Sequence, residues 1–409
     1  MSLIALPYGK IELLFELPAK VRIIELPEIK KEVAPEKFIL ELTPFLNAIP
    51  LKGSVAVVVA DKTRSCEYDR YLSILIDAIL QQGVDKEQIS LYIAYGTHLP
   101  QSDGESQATY GNTWSQCRFI HHDCEDHSLF IELGTTKQGT PIRLRKDIYE
   151  ADYLITFGAI SHHYFAGYGG GRKLIFPGLG EKRAIYHNHG LFLDRKKDRL
   201  SSGCMPGRLR GNPVAEDLSE IERRRPADLA IHGILNHDGR LCRLLVGTGA
   251  DHFRSACKIH AADSEIRDSS CYDLVLASCG GFPKDINLIQ SHKAIHYAAM
   301  FVKDGGTLVL LAQCKDRVGS KTFLPWFELK SRRLAFERLA ENYQGNGGTA
   351  LALMEKTRRI KICLLTDLNQ ALCHKLNVHK LPYPTAVKKV RQHSGSLAVI
   401  PNAGYLVKV

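Results

Sequence analysis

Three apolar runs in the first 160 residues each lead directly into a polar cluster, and this pattern constrains the fold more than any other feature of the chain. Ser54-Val-Ala-Val-Val-Val-Ala-Asp61 continues into Lys62-Thr63-Arg64, Ile89–Tyr95 into Gly96-Thr97-His98, and Asp152–Gly158 into a glycine-rich loop. Runs without polar alternation are what a strand covered on both faces requires, the situation in a parallel sheet. Between the first two, residues 68–82 carry Leu72, Leu75, Ile76, Ile79 and Leu80 at helical spacing, and Gly83 stops them. Strand–helix–strand alternation predicts the α/β class. Ligands of such sheets gather at the carboxyl ends of the strands, where all three polar clusters fall.

A second α/β pattern begins near residue 268. Tyr272–Ser278 reads as a strand, Gly280-Gly281-Phe282-Pro283-Lys284-Asp285 as a turn, 286–302 as a helix and Thr307–Ala312 as the next strand. At 409 residues the chain is long for one core. It therefore reads as two α/β domains, an N-terminal one over residues 1–267 and a C-terminal Rossmann-like one over 268–394. The last strand, 396–400 within the segment 395–409, is expected to rejoin the first domain. Residues 1–17 read as two short strands around Tyr8-Gly9-Lys10, and the charged stretch 195–225 as surface helices and loops.

Composition excludes several classes. Apolar residues make up 44% and charged residues 24%, ordinary globular usage. No apolar run reaches the length of a membrane span, and Lys10 and Glu12 interrupt the first apolar stretch where a signal peptide would need continuity. Eleven scattered cysteines without a CxxC pair point to reduced thiols and a cytoplasmic setting. The net charge of +10 is spread over short, distant basic runs. That argues against nucleic-acid binding and for attraction of small anions.

The candidate site residues lie in the clusters. Residues 158–178 hold His162, His163, Gly169, Gly170, Gly171, Arg172 and Lys173. Glycines there let backbone approach a ligand, successive N–H groups can form an anion nest, and the cations add charge. Asp61, Thr63 and Arg64 suit recognition of a carboxylate or phosphate, and His98 brings a titratable ring to a strand end. His189 ends a short helix pattern, and Gln290 and Lys293 are three apart on one helical face. The histidines and cysteines at 117–127 match no common zinc spacing.

Taken together, Asp61-Lys-Thr-Arg64, Gly96-Thr-His98, Gly134-Thr-Thr with Gly139-Thr-Pro, Glu150-Ala-Asp152, His163-Tyr-Phe-Ala-Gly167, Gly170-Gly-Arg-Lys173, Pro177-Gly178, Asn188-His189 and Gly280-Gly-Phe-Pro-Lys-Asp285 through Gln290 and Lys293 resemble the nickel-pincer lactate racemase family. The resemblance implies two α/β domains around a nickel-pincer nucleotide, a pyridinium mononucleotide with two thio-acid arms. It implies that Lys173 tethers the cofactor, that His189 is the protein's nickel ligand, and that His98 and His163 are the acid/bases on opposite faces of a small 2-hydroxy acid. Arg64, Gln290 and Lys293 would hold the substrate carboxylate, with Asp61, Thr63, Gly169, Gly170, Gly171 and Arg172 near the cofactor. Cofactor-biosynthesis enzymes are the implied partners. His163 is preferred over His162 because the His-x-x-Ala-Gly pattern begins there. Leu99 stands where the family often has arginine, and Ile289 where an aromatic can occur, so the substrate pocket departs from the pattern.

Two other classes are open to such a chain. One is a cofactor-free homologue that binds a nucleotide or sugar acid. The other is an NAD-dependent oxidoreductase, which would need a Gly-x-Gly-x-x-Gly turn after a first strand, and neither glycine-rich loop offers that context.

Overall fold

The computed structural model describes residues 2–329 and 331–409; Met1, the start of the expected first hairpin, lies outside them. Both expected α/β patterns are present. The chain divides into two compact units, one of Glu28–Phe192 with Ser201–Ala262, the other of Met1–Pro27, Leu193–Leu200 and Asp263–Val409.

The first unit is built on a six-stranded sheet in the order Leu241–Gly247, Leu229–Leu235, Tyr153–Ala159, Val55–Ala60, Ile89–Ala94, Arg118–His121. All neighbours are parallel except Leu241–Gly247, which runs antiparallel to Leu229–Leu235. Every residue of Val55–Ala60 is buried, as a central strand covered on both faces requires. Helix Tyr68–Leu80 buries Tyr68, Tyr71, Leu72, Leu75, Ile76 and Ile79. Phe157 is fully buried, with ring centroids 5.1 Å from Tyr68 and 5.6 Å from Phe38. Strand order reverses between Val55–Ala60 and Tyr153–Ala159, and such a switch point opens a crevice at the carboxyl ends. The Asp61 cluster and the glycine-rich loop leave the sheet on either side of it.

The second unit carries a fully parallel sheet in the order His379–Lys380, Lys361–Leu365, Val302–Leu311, Tyr272–Ser278, Leu397–Ile400, Arg22–Ile23. Two expectations are corrected here. Leu397–Ile400 does not rejoin the first unit; it inserts between Tyr272–Ser278 and Arg22–Ile23, with Ala398 opposite both Val275 and Arg22. Residues 2–27 also belong to this unit. The hairpin Ser2–Tyr8/Ile11–Leu17 packs Leu6, Phe15 and Leu17 against Leu274, Leu276 and Val309. An apolar run specifies that a strand is buried, and says nothing of which sheet receives it. The stretch 195–225 is corrected as well, because it contains helix Pro213–Glu222, whose Val214, Ala215, Asp217, Leu218 and Ile221 are buried.

Candidate active site

The turn after Val55–Ala60 places an acid under a histidine. Asp61 is 3% exposed and accepts hydrogen bonds from the Thr63 amide (2.9 Å) and hydroxyl (2.6 Å) on one oxygen. Its other oxygen lies 2.5 Å from Nδ1 of His98. A carboxylate accepts, so Nδ1 carries the ring proton and Nε2 is left as a proton acceptor. Burial alone would raise the Asp61 carboxyl. The hydrogen bond from His98 and the charge of Arg64 outweigh it and hold the group well below the usual carboxylate range. The Arg64 guanidinium donates to the Thr63 hydroxyl at 3.3 Å and lies 3.4 Å from His98 Nδ1. Asp61, expected beside a cofactor, thus bonds His98 directly, and Thr63, expected there too, supports Asp61.

The glycine-rich segment forms a small hairpin, Ser161–His163 against Gly167–Gly169. Successive side chains alternate across such a ribbon, which separates the two adjacent histidines. His162 packs on Tyr168, its ring centroid 4.9 Å away, and its Nδ1 is 3.2 Å from Nε2 of His260. His163 instead meets the edge of Phe165 at 4.6 Å, and the Ala166 amide donates to its Nδ1 at 3.2 Å. The Phe165 ring also lies 5.2 Å from the His189 ring and 6.0 Å from the Lys173 amine. His163, Lys173 and His189 therefore converge on one buried aromatic ring.

The glycines have a packing reason that the nest reading did not anticipate. Gly170 has φ +74°, and a Cβ there would stand 2.1 Å from the Ala159 carbonyl oxygen. A Cβ on Gly171 would stand 2.4 Å from the Phe253 ring, and one on Gly169 3.1 Å from the Ser161 hydroxyl. The amides of Lys173 and Leu174 donate to the carbonyls of Gly170 and Gly171. Arg172, expected to add charge to the nest, is 2% exposed with its guanidinium 4.6 Å over Phe253. Burial lowers its pKa against the opposing charge of Glu222, and its Nε and Nη2 are buried without a hydrogen-bond partner among the described residues.

Lys173 behaves differently. Lost hydration, then the neighbouring charges of Arg64 and Arg172, push its amine well below the ordinary lysine value. A backbone relay joins its loop to that of His98. The Gly178 amide donates to the Lys173 carbonyl at 2.9 Å, and the Gly96 amide to the Gly178 carbonyl at 2.8 Å. His189 sits in helix Lys182–Gly190, and its Nδ1 donates to the Ile185 carbonyl at 2.7 Å, so the lone pair is on Nε2. Desolvation, followed by the charges of Lys173, Arg64 and His98, brings its pKa down to about 3. A neutral imidazole oriented by a backbone carbonyl is the form in which histidine ligates a metal.

Known proteins resemble this chain over most of its length. The lactate racemase N-terminal domain family matches residues 8–201, and the lactate racemase C-terminal domain family matches residues 267–346. The chain belongs to the lactate racemase family. It is accordingly an isomerase. The lactate racemase of Thermoanaerobacterium thermosaccharolyticum is 26% identical over 344 residues, which cover 80% of this chain and 78% of that protein. The lactate racemase of Lactiplantibacillus plantarum is 27% identical over 274 residues, 66% of this chain and 63% of its own length. Among solved structures, the lactate racemase apoprotein from T. thermosaccharolyticum superposes with a TM-score of 0.89 at 23% identity over 100% of both chains. A protein from Thermotoga maritima reaches a TM-score of 0.71 at 14% identity, over 94% of this chain and 99% of its own.

In this family member the two carboxylate candidates Gln290 and Lys293 lie in the second unit. They share a face of helix Leu288–Ala298, where the Lys293 ammonium donates to Gln290 Oε1 at 3.1 Å and Asn287 caps the helix by accepting from the Gln290 amide at 3.0 Å. The preceding glycine–proline turn is held by buried Asp285, which accepts from the Gly9 amide at 2.7 Å and the Gln313 amide at 3.2 Å. The histidines that could have suggested zinc have separate partners: His121 the Tyr95 hydroxyl at 2.9 Å, His122 the Gly180 carbonyl at 3.0 Å. Among the described residues no disulfide links the cysteines, and no helix is long and apolar enough to cross a membrane.

Sequence reading missed three residues of this site's frame. Phe165 lies inside the His-x-x-Ala-Gly pattern, which gives it no role of its own. Asn212 and Asp217 are 0% and 1% exposed. The Asn212-Pro213 pair, an N-cap residue followed by proline at the first helical position, was a signal that could have revealed their helix.

Proposed function

We propose that this protein racemises or epimerises a 2-hydroxy acid with the aid of a nickel-pincer nucleotide. The observation that carries the reading is the convergence of Lys173, His163 and the carbonyl-oriented imidazole of His189 on the Phe165 ring, with the loop of the acid-anchored His98 tied to that of Lys173. The residues fit the group: burial lowers the Lys173 pKa and so favours the uncharged amine that a thio-acid arm can acylate, and the His189 Nδ1–H is held by the Ile185 carbonyl, the tautomer in which an imidazole ligates through Nε2. His189 would ligate nickel and Lys173 would hold the tether. When bound, the pincer nucleotide would supply the electron sink that accepts and returns a hydride.

The chain's own residues do the remainder. A hydride can leave the C2 carbon only as the hydroxyl proton departs, and His98 is the group to take it, because Asp61 holds its ring with Nε2 as acceptor. Inversion needs a second proton carrier on the other face, and His163 is that group. Arg64 holds the carboxylate, so that the carbonyl carbon can present either face while the molecule stays bound. Gln290 and Lys293 are retained as carboxylate candidates on the strength of the family resemblance. The substrate is lactate or a larger 2-hydroxy acid, since by the family resemblance the exposed Leu99 next to His98 stands where arginine is common.

The test is racemisation of lactate and longer 2-hydroxy acids in deuterium oxide by cofactor-loaded enzyme. Returned hydride leaves C2 fully protiated in both enantiomers. Deuterium at C2 in the product would mean that a proton is abstracted there, and would end the hydride reading.

A further inference from the structure

Helix Pro213–Glu222 touches both segments on which the metal-binding histidine depends. From its first turn, Asn212 donates through Nδ2 to the Phe165 carbonyl at 2.9 Å and to the Arg208 carbonyl at 3.0 Å, while its Oδ1 accepts from the Ala215 amide at 3.2 Å. From its middle, the Asp217 carboxylate accepts from Thr136 (2.5 Å), Thr140 (2.7 Å) and Asn188 (2.8 Å). Thr140 also lies 3.0 Å from Nδ1 of His187. Asn188 precedes His189, and Phe165 supplies the ring 5.2 Å from it.

The network explains a motif that substrate and cofactor chemistry leaves over. Gly134-Thr-Thr and Gly139-Thr-Pro bracket a tight turn in which the Thr136 amide donates to the Thr140 carbonyl at 2.9 Å and the Thr140 amide to the Thr136 hydroxyl at 3.0 Å. That turn aims both hydroxyls at one carboxylate. A buried anion is costly unless hydrogen-bonded, and here only neutral donors from two other segments satisfy it. A carboxylate so placed is satisfied only when all three segments are in register.

We propose that helix Pro213–Glu222 is the frame that sets His189 against Phe165, with Asp217 and Asn212 as its positioning residues. The proposal rests on the reading of His189 as the metal ligand only for its functional consequence. The geometric part concerns the protein without cofactor.

The experiment is nitrogen-15 NMR of the histidine rings in the full-length chain made without the cofactor pathway. In the wild type, His189 should show the Nδ1-protonated tautomer with slow exchange of that proton. In Asp217→Asn, an amide faces the Asn188 amide, and exchange at His189 should quicken by about tenfold or more. Combining it with Asn188→Asp restores a donor–acceptor pair of reversed polarity at unchanged net charge, and should recover the slow exchange. If Asp217→Asn does not fold, Thr140→Val against Thr140→Ser decides: the first should quicken exchange and the second, which keeps the hydroxyl, should not. Folded Asp217→Asn or Thr140→Val protein with wild-type exchange at His189 would overturn the frame. In loaded enzyme the same variants should lower kcat about 10- to 100-fold with KM little changed. If the NMR follows the prediction while the loaded wild type takes up no nickel, the functional reading fails and the frame stands.

Discussion

Asp61→Asn isolates the central acid–histidine pair with the least change of shape. Asp61 is 3% exposed, its second oxygen is 2.5 Å from His98 Nδ1, and the two Thr63 donors bind the first. Asparagine can keep the Thr63 bonds through its oxygen, but then presents an N–H to Nδ1. Nδ1 is then favoured as the acceptor and Nε2 as the protonated atom, so the tautomer that takes the hydroxyl proton is disfavoured. The lost interaction is a charge-assisted hydrogen bond worth about 1.5–3 kcal/mol. At about 1.4 kcal/mol per decade this predicts a 10- to 150-fold fall in kcat/KM. The fall should be the same in both directions, since a racemase must obey the overall equilibrium. The assay is chiral chromatography of each pure enantiomer incubated with enzyme of matched nickel content. Wild-type rates for Asp61→Asn in both directions would refute the orientation argument. The same carboxyl makes a pH prediction. Its pKa is lowered on folding, so its contribution is present above the usual carboxylate value and is lost as pH falls below it. Acid unfolding of Asp61→Asn should therefore be less steep than that of the wild type over that range.

Other expectations can be checked with standard measurements. His98→Ala and His163→Ala should each abolish interconversion, whereas His162→Ala, aimed at His260, should retain it; equal loss in all three would undo the face assignment. Lys173, with its depressed amine, should be among the lysines acylated fastest by an amine reagent near neutral pH, as mapped by peptide mass spectrometry, and slow labelling there would contradict the lowered pKa. Gly170→Ala forces a Cβ toward the Ala159 carbonyl at positive φ and should cost about 1–3 kcal/mol in denaturant unfolding. Phe157→Ala, at the centre of the first unit's core, should cost about 3–5 kcal/mol.

Much of this was legible in the sequence because parallel strands buried on both faces are written as unbroken apolar runs. Val55–Ala60, Ile89–Ala94 and Tyr153–Ala159 announce themselves, and the residues just after them had to lie at the carboxyl edge. Their grouping into Asp61 beneath His98 was not legible, since it depends on the side-by-side placement of two strands whose order the chain does not spell out. Arg172 and Lys173 are adjacent and chemically alike, yet one is buried over Phe253 and the other joins His189. One turn of short helix decides that difference, and no residue-type argument contains it. Leu397–Ile400 was readable as a strand but its sheet was set by long-range pairing with Tyr272–Ser278. Asp217 was the hardest to see: a polar residue amid charged neighbours reads as surface until the donors from Thr136, Thr140 and Asn188 are in place.

The most direct test of the account is the intact mass and nickel content of the protein produced together with enzymes that make the pincer nucleotide. The account predicts about one nickel per chain and a mass increment that maps to Lys173 and disappears in Lys173→Ala. His189→Ala should keep the increment and lose the metal. A wild-type protein that remains unmodified and nickel-free under those conditions, yet racemises a 2-hydroxy acid or binds a nucleotide alone, would contradict it.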